Sequence, residues 1–382
     1  LSEGWTSPVI LTSMVRFLET LFSSDTASVR RFNRLTDSVI IIDEIQNLPV
    51  KVVDMFNVMA DFLVYVCNAT IILCSATQPL LNKADKKILY GLPRNMINVS
   101  DEITEGFRRV RITDCTRTEK YTTEELADFI LEKTDRIMLV ILNTKGAVRK
   151  LCDELESRNT EYKIYQLTTY MCPQHRNDVI DKIKEEINEA EKLICVSTQL
   201  IEAGVDISFE NVTRSLAGLD SIIQAAGRCN RHGKTEIKKV YIINYIEERL
   251  GSLEDIKRGQ ECMEDLLLYY KDNYENLGDD YLLSKEAIDK YYKKYFHRRC
   301  EEMRYIINDP INTDLFSLLA DNKSVRAIRK RKKGTLTAQS YKLAGDKFEV
   351  IDSNTVGVIV PYGDGKEKIE KLMNTQNMSD IK

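Results

Sequence analysis

Apolar and polar positions follow two rhythms along this chain. "SVIIID" (Ser38–Asp43) and "ATIILCSAT" (Ala69–Thr77) are short continuous apolar runs, which predicts buried strands. "SPVILTSMVRFLETLF" (residues 7–22) and "KVVDMFNVMADFLVYVCN" (residues 51–68) carry apolar residues at helical spacing, which predicts helices before and between those strands. The rhythm restarts with a helix at "TEELADFILEK", opened by Thr122 or Thr123 as its cap. Strands follow at "RIMLVILNT", "YKIYQLTT", "KLICVST" and "KKVYIINY", and helices at "GAVRKLCDELES", "HRNDVIDKIKEEINEAE" and "DSIIQAAGRCN". Alternating strands and helices imply parallel sheets with crossover helices, and two such blocks imply two α/β domains in tandem.

From about Glu247 the pattern changes to a Tyr-rich, charged, helical stretch. "FEVIDSNTVGVIVPYGDGK" and the residues after it predict a terminal hairpin followed by a helix. The expected division is therefore 1–115 and 116–246 for the two α/β blocks, and 247–382 for a mostly helical accessory domain.

Composition changes little in this picture. The 382 residues exceed one typical domain, and 43% hydrophobic with 30% charged residues is an ordinary globular balance. A formal net charge of −4 provides no global basic field, so any nucleic-acid contact must be local. The nine cysteines form no C-x-x-C pair and several lie in apolar runs, which reads as reduced thiols in a cytoplasmic protein. Three isolated histidines argue against a histidine-based metal site, and no stretch has the apolar length to span a membrane. The start at Leu1 has no basic leader and runs quickly into structured-looking sequence. The expectation is a chain whose first domain is truncated at its N-terminus.

The candidate chemistry begins at "VIIIDEIQNLP". Asp43 and Glu44 close a strand that reads as buried, where carboxylates cost desolvation unless something positive meets them. Either they form an ordinary surface turn or they await a metal ion. Three further stretches bear on the choice: "CSATQP" (74–79), "VSTQLIEAGVDI" (196–207) and "QAAGRCNR" (224–231). The first two of these also end strands, where open parallel sheets bind ligands. A nucleotide–Mg²⁺ site needs one carboxylate for the metal and another to orient water, jobs that suit Asp43 and Glu44. It also needs positive charge on the γ-phosphate. Arg228 and Arg231 are three apart, so on one helix they share a face and can reach a common phosphate.

Together, "DEIQ…SAT…STQLIEAGVDI…QAAGRCNR" resembles the ordered motif series of superfamily 2 helicases. The fuller strings "IIIDEIQNLP", "TTYMCPQHR", "STQLIEAGVDISF" and "LAGLDSIIQAAGRCNRHGK" resemble the CRISPR-associated helicase-nuclease of type I interference systems, and the closing "FEVIDSNTVGVIVPYGDGK" looks like the tail of its compact branch. The resemblance implies two tandem RecA-like domains using ATP and Mg²⁺ to move along single-stranded DNA, recruited by an RNA-guided surveillance complex. It implies that Asp43 binds Mg²⁺, that Glu44 activates water, and that Ser75 and Thr77 couple nucleotide state to domain closure. Gly204 and Asp206 would face the nucleotide. Gln224, Arg228 and Arg231 would contact the γ-phosphate, with Arg231 as the arginine finger. Thr12, Ser13, Thr144, Thr168, Thr169, Thr198 and Gln199 would contact the nucleic acid.

Two family parts are missing. No G-x-x-x-x-G-K-[ST] phosphate loop occurs. "GRCNRHGKT" has the wrong glycine spacing and follows a helix, so Lys234 and Thr235 are expected in a turn. No His-Asp doublet is present to build the family's two-metal nuclease. Both parts lie upstream of "DEIQ" in the family, so the chain alone is expected to be inactive. Two other readings stay open: an RNA helicase of the same superfamily, and a catalytically incomplete binding module. The basic run Arg326 to Lys333 is read as a solvated face, the tyrosines from Tyr269 to Tyr295 as core packing, His175 as a helix-start hydrogen-bonder, and Trp5 as a cap on a core edge.

Overall fold

The computed structural model describes residues 4–77, 79, 81, 94–96, 108–116, 119–202, 204–233, 236–273, 281–307, 313–320, 339–351 and 357–374. The expectations for Arg326 to Lys333 and for Lys234 and Thr235 fall outside these residues, as do residues 352–356 of the stretch expected to form the hairpin. The chain divides into two compact units, Leu1–Ile97 with Tyr292–Asn354, and Asn98–Tyr291 with Thr355–Lys382. Residues 247–382, expected as a separate accessory domain, are thus shared between the two.

In the first unit, strands β1 (Val39–Ile42) and β2 (Thr70–Leu73) pair in parallel, with Ile42 abreast of Leu73. Helices α1 (Met14–Phe22), α2 (Thr26–Phe32) and α3 (Val53–Tyr65) accompany them. The first predicted helix is shorter than its apolar spacing suggests. Ser13 caps it by accepting from Arg16 N–H at 3.2 Å, and Val9 and Leu11 before the cap are 82% and 99% exposed. The chain returns to this unit with Phe348, whose ring lies 5.0 Å from Phe22 and 5.5 Å from Tyr305. Gly345 makes the return possible, because a Cβ there would stand 2.4 Å from the Ser24 nitrogen. A short antiparallel pair, β9 (Ile306–Ile307) with β10 (Thr313–Asp314), lies in the same part of the chain.

The second unit is a parallel sheet of six strands in the order β3-β8-β7-β4-β6-β5. The strands are β3 (Val110–Asp114), β4 (Ile137–Ile141), β5 (Lys163–Leu167), β6 (Leu193–Ser197), β7 (Asn211–Ser215) and β8 (Lys238–Ile243). Helices α4 (Thr123–Lys133), α5 (Lys145–Ser157), α6 (Pro173–Asn188) and α7 (Leu219–Ala226) connect or flank them. Thr122 supplies the cap of α4. Its hydroxyl takes the Glu125 N–H while the Glu125 carboxylate takes the Thr122 N–H, a reciprocal capping box. One face of the sheet packs Val140, Leu142, Ile194, Val196 and Ile243 against Leu126, Ile130, Val148 and Leu151 of α4 and α5. Leu139, Ile141, Cys195, Val212, Val240 and Ile242 are buried as well. Burial on both faces explains why β4 and β6 read as continuous apolar runs.

Two strands escaped the apolar pattern. β3 alternates buried and exposed residues within a charged stretch, and it pairs with β8 although it precedes the expected division at residue 115. β7 reads "NVTRS" and is wholly buried, with its polar side chains individually partnered. Beyond the sheet, α8 (Glu254–Asn273) and α9 (Lys285–Arg298) form the expected Tyr-rich helices, and Tyr291 and Tyr292 are buried, as core packing requires. Of the expected terminal hairpin, residues 357–364 carry no strand; the helix after it is present as α12 (Gly365–Asn374), following α10 (Leu315–Leu319) and α11 (Tyr341–Asp346).

Candidate functional site

In the first unit the candidate residues gather at the carboxyl ends of β1 and β2. Asp43 and Glu44 are both exposed, which removes the desolvation objection to carboxylates at the end of this strand. Glu44 has a left-handed backbone (φ 52, ψ 47), and its N–H donates to Asp43 Oδ1 at 3.0 Å. The turn thus ties the Glu44 backbone to the Asp43 carboxylate just past the end of the strand. Gln46 donates to Glu44 Oε2, and Ser75 Oγ lies within donating distance of both Gln46 Oε1 and the Thr77 carbonyl. Thr77 N–H donates to Ser75 Oγ at 3.0 Å, and buried Thr77 Oγ1 lies 3.1 Å from the Tyr292 hydroxyl. A continuous hydrogen-bonded path thus joins the Glu44 carboxylate to the "SAT" stretch. Sequence reasoning missed Gln46 and Tyr292. Gln46 could have been found from its place inside the quoted motif; Tyr292, 215 positions from Thr77, left no signal. Thr12 and Ser13 are exposed near the start, with Ser13 engaged as a helix cap.

In the second unit a row of candidates lies at the ends of three neighbouring strands. Ile141, Ser197 and Leu167 stand abreast in β4, β6 and β5. Thr198, Gln199, Thr168 and Thr169 follow them directly, and Thr144 comes three residues after Ile141. Thr144 caps α5 by accepting from Ala147 N–H at 3.2 Å, and Thr168 is buried in the turn after β5.

The loop after β6 carries Gly204, whose φ of 75 suits glycine. Exposed Asp206 accepts from Arg231 Nε at 2.8 Å. Arg228 is 8% exposed, and its guanidinium donates to the carbonyls of Glu202 and Val205. It therefore clamps the Gly204 loop from beneath. The expected common helix face for Arg228 and Arg231 is corrected: α7 ends at Ala226, and both arginines lie in the turns beyond it. Gly227 caps the helix, Asn230 takes a left-handed φ of 44, and Phe209 bridges to Cys229. Gln224, half-buried, remains on the helix.

Beneath this loop is a buried polar network. Arg214 is fully buried on β7, with Nε 2.9 Å from Glu202 Oε1. Its other nitrogens donate to Asn143 Oδ1 at 2.8 Å, the Ser215 carbonyl at 2.9 Å and Ser221 Oγ at 2.8 Å. Glu248 accepts from the Asn143 backbone and side chain and from Ser215 Oγ. Burial pushes the Glu202, Glu248 and Asp220 carboxyls above the usual carboxylate range, with Arg214 pulling the other way at each. Asn143 immediately precedes Thr144, and Glu202 lies two residues before Gly204. The network therefore joins the strand-tip row to the Gly204 loop. Its members are absent from the sequence-based candidates because buried polar residues resemble loop residues in a linear pattern.

Among the described residues, no three or more His, Cys, Asp or Glu side chains gather as a metal-binding group, and no helix is long and apolar enough to cross a membrane. A Mg²⁺ ion of the nucleotide-bound kind requires only one or two protein carboxylates, and exposed Asp43 fits that need.

Comparison with known proteins gives a consistent family. Residues 134–234 match the family model described as CRISPR-associated nuclease/helicase Cas3, C-terminal. A 38-residue stretch, 10% of this chain and 4% of its relative, is 66% identical to the CRISPR-associated nuclease/helicase Cas3 of Haloferax volcanii. The crystal structure of T. fusca Cas3 with AMPPNP superposes with a TM-score of 0.57 at 13% identity, covering 79% of this chain and 42% of that one. A chain of a CRISPR RNA-guided surveillance complex, in its pre-nicking state, gives a TM-score of 0.57 at 14% identity, with coverages of 79% and 44%. This chain thus spans less than half the length of these solved relatives. Over residues 134–234 this chain thus resembles the C-terminal part of the CRISPR-associated nuclease/helicase Cas3, and its fold is similar to that of solved Cas3 chains over 79% of its length.

Proposed function

We propose that this chain supplies the hydrolytic and strand-gripping residues of an ATP-driven translocase on single-stranded DNA, working in CRISPR interference with an RNA-guided surveillance complex as partner. The observation that carries this reading is the hydrogen-bonded path from Glu44 through Gln46 and Ser75 to Thr77. An ordinary surface turn has no need of such a path. A motor does, because the residue that orients water must sense the rest of the nucleotide site.

In this reading Asp43 holds Mg²⁺ and Glu44 orients the attacking water. When bound, Mg²⁺ neutralises phosphate charge as the γ-phosphoryl group leaves ATP. Ser75 and Thr77 transmit the state of Glu44. Arg231, with Gln224 near it in sequence, brings positive charge to the γ-phosphate, while Gly204 and Asp206 form the loop that faces the nucleotide. Arg228 holds that loop in shape. Thr144, Thr169, Thr198 and Gln199 of the second unit contact the strand, as do Thr12 and Ser13 of the first, whereas Thr168, expected among them, is buried and instead holds the turn that presents Thr169. The sequence contains no G-x-x-x-x-G-K-[ST] loop, so the residues present fit the metal and water end of an ATP site but not its phosphate cradle.

The test is ATP hydrolysis by the intact protein. Single-stranded DNA should stimulate it more than RNA of the same sequence, and Glu44→Gln should keep nucleotide binding while abolishing turnover. Stimulation by RNA alone would replace this reading with an RNA helicase. Turnover near wild type in Glu44→Gln would remove Glu44 from its role.

A further inference from the structure

Tyr170 is the aromatic residue of the strand-tip row, and nothing in the nucleotide chemistry uses it. Its side chain is 74% exposed, yet the turn presenting it is fixed. Thr168, 1% exposed, accepts the Tyr170 N–H on its hydroxyl at 3.4 Å and the Met171 N–H on its carbonyl at 3.1 Å. Lys145 Nζ stands 4.0 Å from the centre of the Tyr170 ring. Lys145 opens α5 just after the β4 tip, whereas Tyr170 follows the β5 tip. In the sheet β6 lies between those two strands, so the strand axes are about 10 Å apart. The Lys145–Tyr170 pair therefore spans the end of β6, where Thr198 and Gln199 sit.

We propose that Tyr170, with Lys145 against its ring, is a stacking platform for one base of a single strand crossing the tips of β4, β6 and β5. The inference rests on the single-strand reading above and adds a base contact to it. A cation above an aromatic ring is favourable even at an exposed site. Here it also holds a positive charge beside the ring, where the phosphate next to a stacked base would lie. Every base has a π-face, so the contact tolerates any sequence. Bases of a duplex are already stacked on one another, so the platform favours unpaired strands. Because the turn is fixed by Thr168, little order has to be imposed when a base arrives.

The test is fluorescence anisotropy of the full 382-residue chain with a labelled oligothymidylate and with an abasic strand of equal length. Tyr170→Ala should weaken oligothymidylate binding about tenfold and leave abasic-strand binding unchanged. Tyr170→Phe and Tyr170→Trp should bind oligothymidylate as wild type does. Equal affinities of wild type and Tyr170→Ala for oligothymidylate would overturn the platform while leaving the single-strand reading intact. An equal loss on both strands would also overturn it, because it would mark a structural defect. If the wild-type chain bound neither strand, the single-strand reading would fail first and the platform with it.

Discussion

Arg228 and Arg231 are chemically identical and three residues apart, but their surroundings assign them different work. Arg228 is buried and donates to the Glu202 and Val205 carbonyls. Charged donors to buried acceptors are among the stronger hydrogen bonds, and removing one leaves the acceptors unsatisfied. Arg231 pairs with an Asp206 side chain that is 74% exposed, an arrangement worth at most about 1 kcal/mol. Arg231→Ala should therefore shift urea unfolding by less than about 1 kcal/mol, yet slow ATP hydrolysis by the intact protein about 10³-fold or more if it acts as the finger. Arg228→Ala should destabilise by about 2 kcal/mol or more. If Arg231→Ala kept full turnover, the finger would have to be sought elsewhere.

At the scale of elements, β7 illustrates how far the sequence could be read. Strands β4 and β6 were legible because both faces are apolar and buried, and α4 because its cap, Thr122, stands before a periodic apolar run. β7 was not, since Asn211, Thr213 and Arg214 look like loop residues in a linear pattern. Their partners are distant in sequence: Asn211 Nδ2 donates to the Lys133 carbonyl at 3.1 Å, and Arg214 meets Glu202 and Asn143. The end of α7 was overrun for a related reason. Apolar spacing carries on through Cys229, but Gly227 and the left-handed Asn230 stop the helix. Among site residues, Asp43, Glu44 and the strand-tip threonines were readable as motifs, while Tyr292 and Arg214 depend on contacts that only folding makes. The Arg214 network gives a stability test of its own. Breaking a buried ion pair by removing one partner costs about 3–5 kcal/mol, whereas replacing both by apolar residues costs less. Arg214→Met should thus lower the unfolding midpoint of the second unit sharply, and Arg214→Met with Glu202→Leu should recover part of the loss. Additive losses in the double variant would mean that Arg214 and Glu202 act separately.

At the scale of the whole molecule, the two units differ in how completely they bury their sheets. The described sheet of the first has two strands, and Val39 and Ile41 on β1 are each 66% exposed. The second has six strands, with β4, β6 and β7 wholly buried. Stability follows buried apolar area, so the first unit should open at lower denaturant than the second. The cysteines can report this, since all nine are free and at least one is buried in each unit. Cys67 lies at the end of the α3 region in the first unit. Cys152, Cys195 and Cys229 lie in the second, where burial pushes the Cys152 and Cys229 thiols up to about 12 and raises Cys195 as well. Such thiols hold almost no thiolate at neutral pH and react only when their surroundings open. In pulsed alkylation along a urea series, exposed Cys300 and the partly exposed Cys74, Cys115 and Cys172 should label at low denaturant, and Cys67 first among the buried thiols. Cys195, fully buried on β6, should label last. Simultaneous labelling of Cys67 and Cys195 would instead mean that the two units unfold as one cooperative body, and that the exposed face of β1 costs the first unit nothing in stability.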